Sequence, residues 1–377
     1  MTRTKKIIFS ISAALLALCF IEIGLRLAGA IFAGNDPRLL LPAYQGQAWA
    51  TEFLKESDVS GKMQYRELIG WGREEYHGKY INVDANGVRT TWNEKESKND
   101  KKIFMFGGST MWGSGARDAY TIPSYVAKEL AQSGNKVQVT NYGEGGYTFT
   151  QEVVKLTLLL REGNIPDLAV FYDGVNDVAA SYESGKAGKP VNLPLIEAQV
   201  AISNWGKIKS GIRGIAKEQC ATCRAIFNIV RIFSPKAFEA FTVGSSAYTE
   251  DQIKTLAQDT KNYYLTSINL LDKLSRIYGF RYVVFWQPNF FLEEKIREDK
   301  TLLLCLDPRI EDKKIALLHR FVNAMMSSNP QKNFYNISSA LSTREIDGYI
   351  DHAHLSESGN GLVAQEIGKI IKSKYLR

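Results

Sequence analysis

The feature that most constrains this chain is an alternation, from Lys101 onwards, of short apolar runs with stretches whose apolar residues recur at helical spacing. The first run, Ile103–Phe106, ends in two glycines, as is typical of a strand buried within a parallel sheet. The further runs are Val137–Tyr142, Leu168–Tyr172, Tyr282–Trp286 and Phe334–Ile337. Strands that alternate with helices predict an α/β fold in which a mainly parallel sheet is covered on both faces.

The stretches between these runs carry the signals of helices. Pro123–Leu130 and Gln151–Arg161 repeat apolar residues at spacings of three and four. A final helix is expected from about Glu357 to Tyr375, where the same pattern recurs and Ser356 is a good N-cap.

The pattern also divides the chain into regions. Residues 1–34 are basic and then apolar, and residues 35–100 are rich in Tyr, Trp and charge and are expected to pack onto the main domain. That main domain covers residues 101–377. Between about 180 and 270 the alternation gives way to loop signals, basic residues and helix-like patches. We interpret this stretch as an insertion, such as a lid or a substrate-binding cap.

The N-terminal region has the features of an anchoring or export segment. Basic residues precede the apolar run Ile7–Ile21, and Glu22 and Arg26 then lie four apart, where they can pair on one helix face. Read through to Phe32, the segment is long enough to span a bilayer, which needs roughly 20 residues, and its basic start favours a cytoplasmic N-terminus. A cleaved signal peptide is the alternative, because residues 28–30 resemble a cleavage site. The remaining chain is expected outside the cytoplasm, anchored to the membrane in the first case and secreted in the second.

Composition and charge exclude some classes of protein. The 377 residues are 45% hydrophobic and 23% charged, as in ordinary globular proteins. The formal charge of +7 is scattered along the chain, so no nucleic-acid partner is expected. Outside the N-terminal segment the cysteines are too few for a disulfide framework: Cys220, Cys223 and Cys305. The first two form a lone CxxC whose role stays open, with a local disulfide or buried thiols as the simplest interpretations.

Four short motifs stand at the boundaries of the predicted strands and helices. They are Gly107-Gly108-Ser109-Thr110, Asn141-Tyr142-Gly143-Glu144-Gly145-Gly146, Gly174-Val175-Asn176-Asp177 and Asp351-His352-Ala353-His354. Sites in open α/β sheets lie at the carboxyl ends of the strands. We therefore expect the four motifs to form one site.

The residues in these motifs suit nucleophilic attack by a serine. A serine hydroxyl is a poor nucleophile until a base removes its proton, and His354 is the expected base for Ser109. Asp351 can fix the tautomer of that imidazole. The developing oxyanion needs hydrogen-bond donors, for which we expect the backbone N–H groups of Ser109 and Gly146 and the side-chain amide of Asn176.

The order Gly-Gly-Ser, Asn-x-x-x-x-Gly, Gly-x-Asn-Asp and Asp-x-x-His resembles the SGNH (GDSL-like) hydrolase family. The resemblance covers roughly residues 100–180 and 275–377. It maps the four residues that name the family onto Ser109, Gly146, Asn176 and His354. The resemblance implies a flavodoxin-like three-layer α/β/α fold and acyl-ester chemistry. The N-terminal segment and the stretch Asn86-Gly87-Val88-Arg89 resemble the exported, membrane-tethered members of the family.

The chain departs from the family pattern at one position. The usual Asp before the nucleophile is Gly108 here, which weakens the match to the GDSL lipases and leaves the triad intact. The glycine of the second motif is also ambiguous, because Gly145 adjoins Gly146.

The leading functional interpretation is an exported serine esterase that acts on acyl esters, such as O-acetyl groups of cell-surface glycans. Aromatic side chains stack on sugars, and the 18 Tyr and 6 Trp residues motivate the glycan. An O-acyltransferase with the same triad and a catalytically inactive glycan-binding protein are the alternatives. The acyl chain length and the alcohol stay open.

No cofactor is expected. His352 and His354 lie two apart and could both bind a metal, but no further His, Cys or Asp cluster stands at ligand spacing. The glycines after the first strand lack the spacing of a dinucleotide site, and no P-loop motif is present. His77 and His319 are expected to be structural.

Overall fold

The structure is a computed structural model. It describes residues 36–95, 100–191, 193, 248–292, 312–328, 331–341 and 348–376, with residues 9, 16–17 and 19–27 near the N-terminus. The chain divides into two compact units, of which one comprises Arg38–Val191 and Tyr248–Arg377 and the other Met1–Pro37 and Asn192–Ala247. The first unit contains the sheet and the predicted site.

A parallel sheet forms the centre of this unit. The strands of the described chain, in sequence order, are β1 Met63–Arg66, β2 Gly70–Arg73, β3 Tyr76–His77, β4 Asn82–Val83, β5 Lys101–Gly107, β6 Val137–Asn141, β7 Leu168–Asp173, β8 Arg281–Trp286 and β9 Phe334–Asn336. The last five form one parallel sheet in the order β6-β5-β7-β8-β9. This is the second-first-third-fourth-fifth order of flavodoxin-like folds. The predicted α/β fold with a mainly parallel sheet is therefore confirmed.

Helices cover both faces of the sheet. The helices of the described chain are α1 Ala50–Ser60, α2 Ser109–Trp112, α3 Ile122–Gln132, α4 Phe149–Arg161, α5 Val175–Ser184, α6 Glu250–Tyr278, α7 Lys313–Ser327 and α8 Glu357–Lys374. Single 3-10 turns span Pro37–Leu40, Asp118–Tyr120 and Phe290–Leu292. Side chains alternate along β5, so that Ile103 and Met105 share one apolar core with α3 and α8. Phe104 and Phe106 share the other core with α4, α6 and α7. The result is a three-layer α/β/α arrangement.

Both ends of the predicted insertion at about 180–270 are helical in the described residues. α5 continues to Ser184, and α6 begins at Glu250 and packs its buried face into the core that it shares with β8. The buried residues of α6 recur at spacings of three and four, a helical pattern that begins inside the predicted insertion: Ile253, Leu256, Ala257, Thr260, Tyr264, Ile268 and Leu271. Residues 192 and 194–247 lie outside the described residues.

Residues 36–95, here called the lead segment, pack against the main sheet. Their apolar cluster includes Trp112 and Phe290 of the main domain. β1 and β2 form an antiparallel hairpin, and β3 pairs with β4. Beyond β4, Arg89 bridges to Asn141 at the end of β6, so the lead segment continues the edge of the main sheet.

Most of the predicted anchor or signal segment, residues 7–32, lies outside the described residues. Within the described part the predicted pair of Glu22 and Arg26 is present, with 2.8 Å between Oε1 and Nε. Among the residues that the structure describes, no helix is both long and apolar enough to cross a membrane. The anchor therefore stays a prediction from the sequence.

Candidate active site

Ser109 stands where β5 ends, as the first residue of the short helix α2. Gly108, which precedes it, has an ordinary φ of −76°, so the backbone conformation there does not itself require glycine. Glycine is needed because a side chain has no room. A Cβ on Gly107 would lie 2.5 Å from the Cβ of Met111, and one on Gly108 would lie 2.2 Å from Nδ2 of Asn176. The close approach brings Asn176 beside the residue that precedes Ser109.

Arg89 of the lead segment holds the far end of α2. Its buried guanidinium donates to the carbonyl oxygens of Trp112 at 3.1 Å and of Gly113 at 2.8 Å, and it pairs with Asp118 at 2.9 Å. The last carbonyls of a helix have no partner inside the helix, so Arg89 supplies the missing donors. In the sequence, Arg89 is marked only by the family resemblance. These contacts join residues more than 20 positions apart, which no local pattern reveals.

The turn from Asp351 to His354 is closed by its own aspartate. Oδ1 of Asp351 accepts from the backbone N–H groups of Ala353 at 2.8 Å and His354 at 2.7 Å. Oδ2 lies 2.5 Å from Nδ1 of His354. Burial would raise the pKa of Asp351, but the neighbouring His354 and these hydrogen bonds hold that pKa well below its usual range. The carboxylate therefore stays ionised and orients the imidazole.

His354 and Ser109 meet although 245 positions separate them in the chain. Nε2 of His354 lies 2.7 Å from Oγ of Ser109. Because Nδ1 faces the carboxylate of Asp351, we assign the proton of the neutral imidazole to Nδ1, which leaves Nε2 to accept the serine proton. The structure thus brings the three predicted triad residues into one hydrogen-bonded row.

The other histidines occupy different surroundings. His352 is buried against the ring of Phe291, and its Nδ1 lies 3.7 Å from Asp351 Oδ1, which is longer than a hydrogen bond. His319 stacks on the same phenylalanine, and burial, with His352 nearby, lowers the pKa of His319 to about 3. His77 is exposed at the surface. The structure therefore favours His354 as the base.

The loop that carries Gly146 is shaped by Asn141 at the end of β6. The buried amide of Asn141 accepts from the N–H of Gly143 at 2.9 Å and donates to the carbonyl of Trp112 at 3.2 Å. Gly146 has a φ of +76°, which glycine adopts without steric cost. A Cβ on Gly146 would also lie 2.8 Å from Cγ2 of Val191. The conformation of this loop therefore requires glycine at 146.

Asn176 is the second residue of α5, directly after β7. Its Nδ2 donates to the carbonyl oxygen of Tyr147 at 2.7 Å, and the amide has a second N–H that points away from this bond. Gly174, the N-cap of α5, has a φ of +125°. Asp177 accepts from the N–H of Phe149 at 3.2 Å. The third motif is therefore hydrogen-bonded to the residues that directly follow the second, Tyr147 and Phe149.

Solvent reaches all five predicted site residues. Each is partly exposed, whereas most of their neighbours in the four motifs are buried: Ser109, Gly146, Asn176, Asp351 and His354. The N–H of Ser109 is also at the start of a helix, where it has no partner within the helix. A substrate can therefore approach the serine and the three predicted oxyanion donors.

The described part of the chain contains no group of three or more His, Cys, Asp or Glu side chains that could hold a metal ion. Cys220, Cys223 and Cys305 lie outside the described residues, so the structure does not test the CxxC.

Comparison with known proteins gives distant structural likenesses. No family model and no curated protein matches the chain. The chain is similar to the solved structure of an acetyl xylan esterase, AlAXEase, at 14% identity and a TM-score of 0.39, over 72% of this chain and 99% of that one. It is similar to a carbohydrate acetylesterase family member from Sinorhizobium meliloti at 16% identity and a TM-score of 0.34, over 72% and 98%. For a lipase/acylhydrolase from Enterococcus faecalis the values are 14%, 0.35, 73% and 96%. Such distant likenesses decide neither the family nor the activity, so the function is inferred from the site itself.

Proposed function

We propose that this chain is a serine esterase of the SGNH type that hydrolyses acyl esters. The observation that carries the proposal is the row formed by Asp351, His354 and Ser109, with successive links of 2.5 and 2.7 Å. Such triads are recognised by geometry and not by position in the chain. The row stands at the carboxyl end of a central parallel strand, where sites of open α/β sheets lie.

In the first half of the proposed reaction, Oγ of Ser109 attacks the ester carbonyl carbon. Its proton passes to Nε2 of His354, and Asp351 stabilises the resulting imidazolium. The carbonyl oxygen becomes an oxyanion, for which we assign the N–H groups of Ser109 and Gly146 and the second N–H of Asn176 as donors. The bond from carbon to the alcohol oxygen then breaks, and His354 returns the proton to the departing alcohol.

In the second half, water replaces the alcohol. The oxygen of water attacks the acyl carbon while His354 takes a proton from that water. The bond from the acyl carbon to Oγ of Ser109 then breaks. The proton returns to Ser109 and the acid leaves. A sugar hydroxyl in place of water would give the transferase alternative with the same residues.

We further propose that the site works outside the cytoplasm, on acyl groups such as acetyl carried by cell-surface glycans. The basic residues before the apolar run Ile7–Ile21 support this location, because positive charge is retained on the cytoplasmic side. Among the esters that a tethered enzyme would meet there are those of surface polymers and related glycans.

An ester panel with the full-length chain tests this function. We expect turnover of chromogenic acetyl esters and acetate release from acetylated glycans, both lost in Ser109→Ala. Failure on every ester from acetyl to long acyl would contradict the esterase. Transfer of the acyl group to an added sugar, in preference to water, would assign the transferase.

A further inference from the structure

One strand of the lead segment contacts the chain on both sides of Gly146. We call residues 144–147 the oxyanion loop. The indole N–H of Trp71 in β2 donates to the carbonyl oxygen of Gly145 at 2.8 Å. The hydroxyl of Tyr147 donates in turn to the carbonyl oxygen of Trp71. A single residue of β2 is thus bonded to both neighbours of Gly146.

Arg73, on the same strand, holds the start of the oxyanion loop. Its guanidinium pairs with the carboxylate of Glu144 at 3.1 Å, and its backbone N–H donates to the other carboxylate oxygen at 2.9 Å. Both side chains are only 7% exposed. The guanidinium also lies 4.4 Å above the ring of Trp112, which ends helix α2. Because separating a buried ion pair is costly, the strand and the start of the loop are held together.

The contacts of β2 also reach Asn176, the side-chain donor predicted for the oxyanion. The carbonyl oxygen of Tyr147, whose hydroxyl is bonded to Trp71, accepts the amide of Asn176 at 2.7 Å. A displacement of Tyr147 would therefore move both the N–H of Gly146 and the amide of Asn176. Oxyanion donors act only within about 2.7–3.1 Å of the charge that develops, whereas consecutive glycines give a loop unusual backbone freedom. The contacts of Trp71 and Arg73 with the oxyanion loop restrict that freedom.

We propose that β2 is part of the catalytic apparatus and that Trp71 is a positioning residue for the two oxyanion donors. The inference rests on the proposed esterase function and assigns a role to the lead segment, which the triad chemistry alone does not require. Trp71 touches no reacting atom in this scheme. It acts by fixing Gly145 and Tyr147, and through them Gly146 and Asn176.

The test compares Trp71→Phe with Trp49→Phe in the full-length chain. Each substitution keeps an aromatic ring and removes one indole N–H, but Trp49 donates to Gln47 at 3.2 Å and not to the oxyanion loop. We expect Trp71→Phe to lower kcat by about ten- to a hundredfold, as a small misplacement of catalytic groups does. KM and the thermal unfolding midpoint should stay near those of Trp49→Phe, because both substitutions replace an indole by a phenyl ring and remove the same volume.

Inhibition by phenylboronic acid provides a second readout. Oγ of Ser109 adds to boron, the serine proton passes to His354, and a boron hydroxyl occupies the oxyanion position. In Trp71→Phe the inhibition constant should rise by the same factor by which kcat/KM falls. Tyr147→Phe removes the hydroxyl contact to Trp71 and should likewise raise the inhibition constant and lower kcat/KM. It covers the case in which Trp71→Phe fails to fold.

Two outcomes separate this inference from the proposed function. If Ser109→Ala is inactive while Trp71→Phe and Tyr147→Phe match Trp49→Phe in kcat and boronate inhibition, the positioning role of Trp71 is wrong and the esterase stands. If Ser109→Ala retains wild-type turnover, the esterase assignment itself is wrong and the role of Trp71 is overturned with it. A rise confined to KM would place Trp71 in substrate binding and would also overturn the positioning role.

Discussion

The histidines at 352 and 354 differ in what surrounds them, although both lie near Asp351. His354 stands between that carboxylate and Ser109, with hydrogen-bond distances on both sides. His352 is turned toward Phe291 in a buried position. The two histidines therefore face different groups, His354 the carboxylate and the serine hydroxyl and His352 the ring of Phe291.

Substituting each histidine tests this difference. We predict that His354→Ala lowers kcat by about 10⁴-fold or more, because the serine loses its base. His352→Ala should keep most of the activity. In the wild type, kcat/KM should rise with pH as the imidazole loses its proton. Steady-state kinetics on an acetyl ester provide the measurement, and the reverse order of the two variants would move the base to His352.

The presence of glycine instead of aspartate at position 108 also has a physical reason. It occupies the position where the resembling family usually has Asp, and a Cβ there would lie 2.2 Å from Nδ2 of Asn176. Any side chain would push the amide of Asn176 out of its present place beside Ser109. The departure from the family pattern thus accompanies a close approach of the third motif to the first.

Between the elements, three carboxyl groups are buried beneath the Asn176 turn. Glu152 of α4 and Asp173 of β7 lie within hydrogen-bond reach of each other, and Asp177 of α5 and Tyr264 of α6 face them. Burial raises the pKa of Glu152 well above its usual range, and the Asp173 charge adds to this. Burial likewise raises the pKa of Asp173, and that of Asp177 to about 7. These raised pKa values favour a proton held between Glu152 and Asp173 in the folded chain.

This cluster predicts how stability depends on pH. The folded chain holds the shared proton more tightly than the unfolded chain, so the stabilisation is complete below the unfolded pKa of about 4 and is lost as pH rises toward the raised values. Glu152→Gln supplies a permanent donor to Asp173. We expect it to reduce the fall in the urea unfolding midpoint between about pH 5 and about pH 8.

The exposed Glu162, at the end of the same helix, provides the matched control. Glu162→Gln should leave the pH dependence of the wild type unchanged. A Glu152→Gln protein with the full wild-type fall would show that the pair is not protonated in the folded state.

Elements with a strong local signal were predictable from the sequence, and contacts between distant elements were not. The run Leu168–Tyr172 is a strand that ends one residue later, and Ser356 caps the last helix by accepting from the N–H of Gly359. The pattern predicts a start of α4 at Gln151, but the helix begins at Phe149, and Gln151 is its third residue and closes a capping box with Thr148. The contacts of Trp71 with the oxyanion loop span more than 70 positions and depend on a packing arrangement that no spacing reveals.

For the whole molecule, the proposed location of the site rests on the N-terminal segment. Arg3, Lys5 and Lys6 precede its apolar run. We predict that alkaline phosphatase fused to the C-terminus is active in cells, because that enzyme works only after export. Moving the three basic residues to the other end of the apolar run should reduce export. Phosphatase activity independent of the N-terminal segment, or a fusion that is expressed but inactive, would contradict the proposed location.

The most direct test of the central claim is covalent labelling of Ser109 by a fluorophosphonate. Oγ of Ser109 displaces fluoride from phosphorus while His354 takes the serine proton, so labelling requires the nucleophile and base and needs no knowledge of the natural ester. We predict one phosphonyl group per chain by intact mass, located on the peptide that contains Ser109, with esterase activity lost in proportion. Replacement of the exposed Ser133 by alanine should not change the result. Labelling of another residue, or equal labelling of Ser109→Ala, would contradict the assignment of Ser109 as the nucleophile.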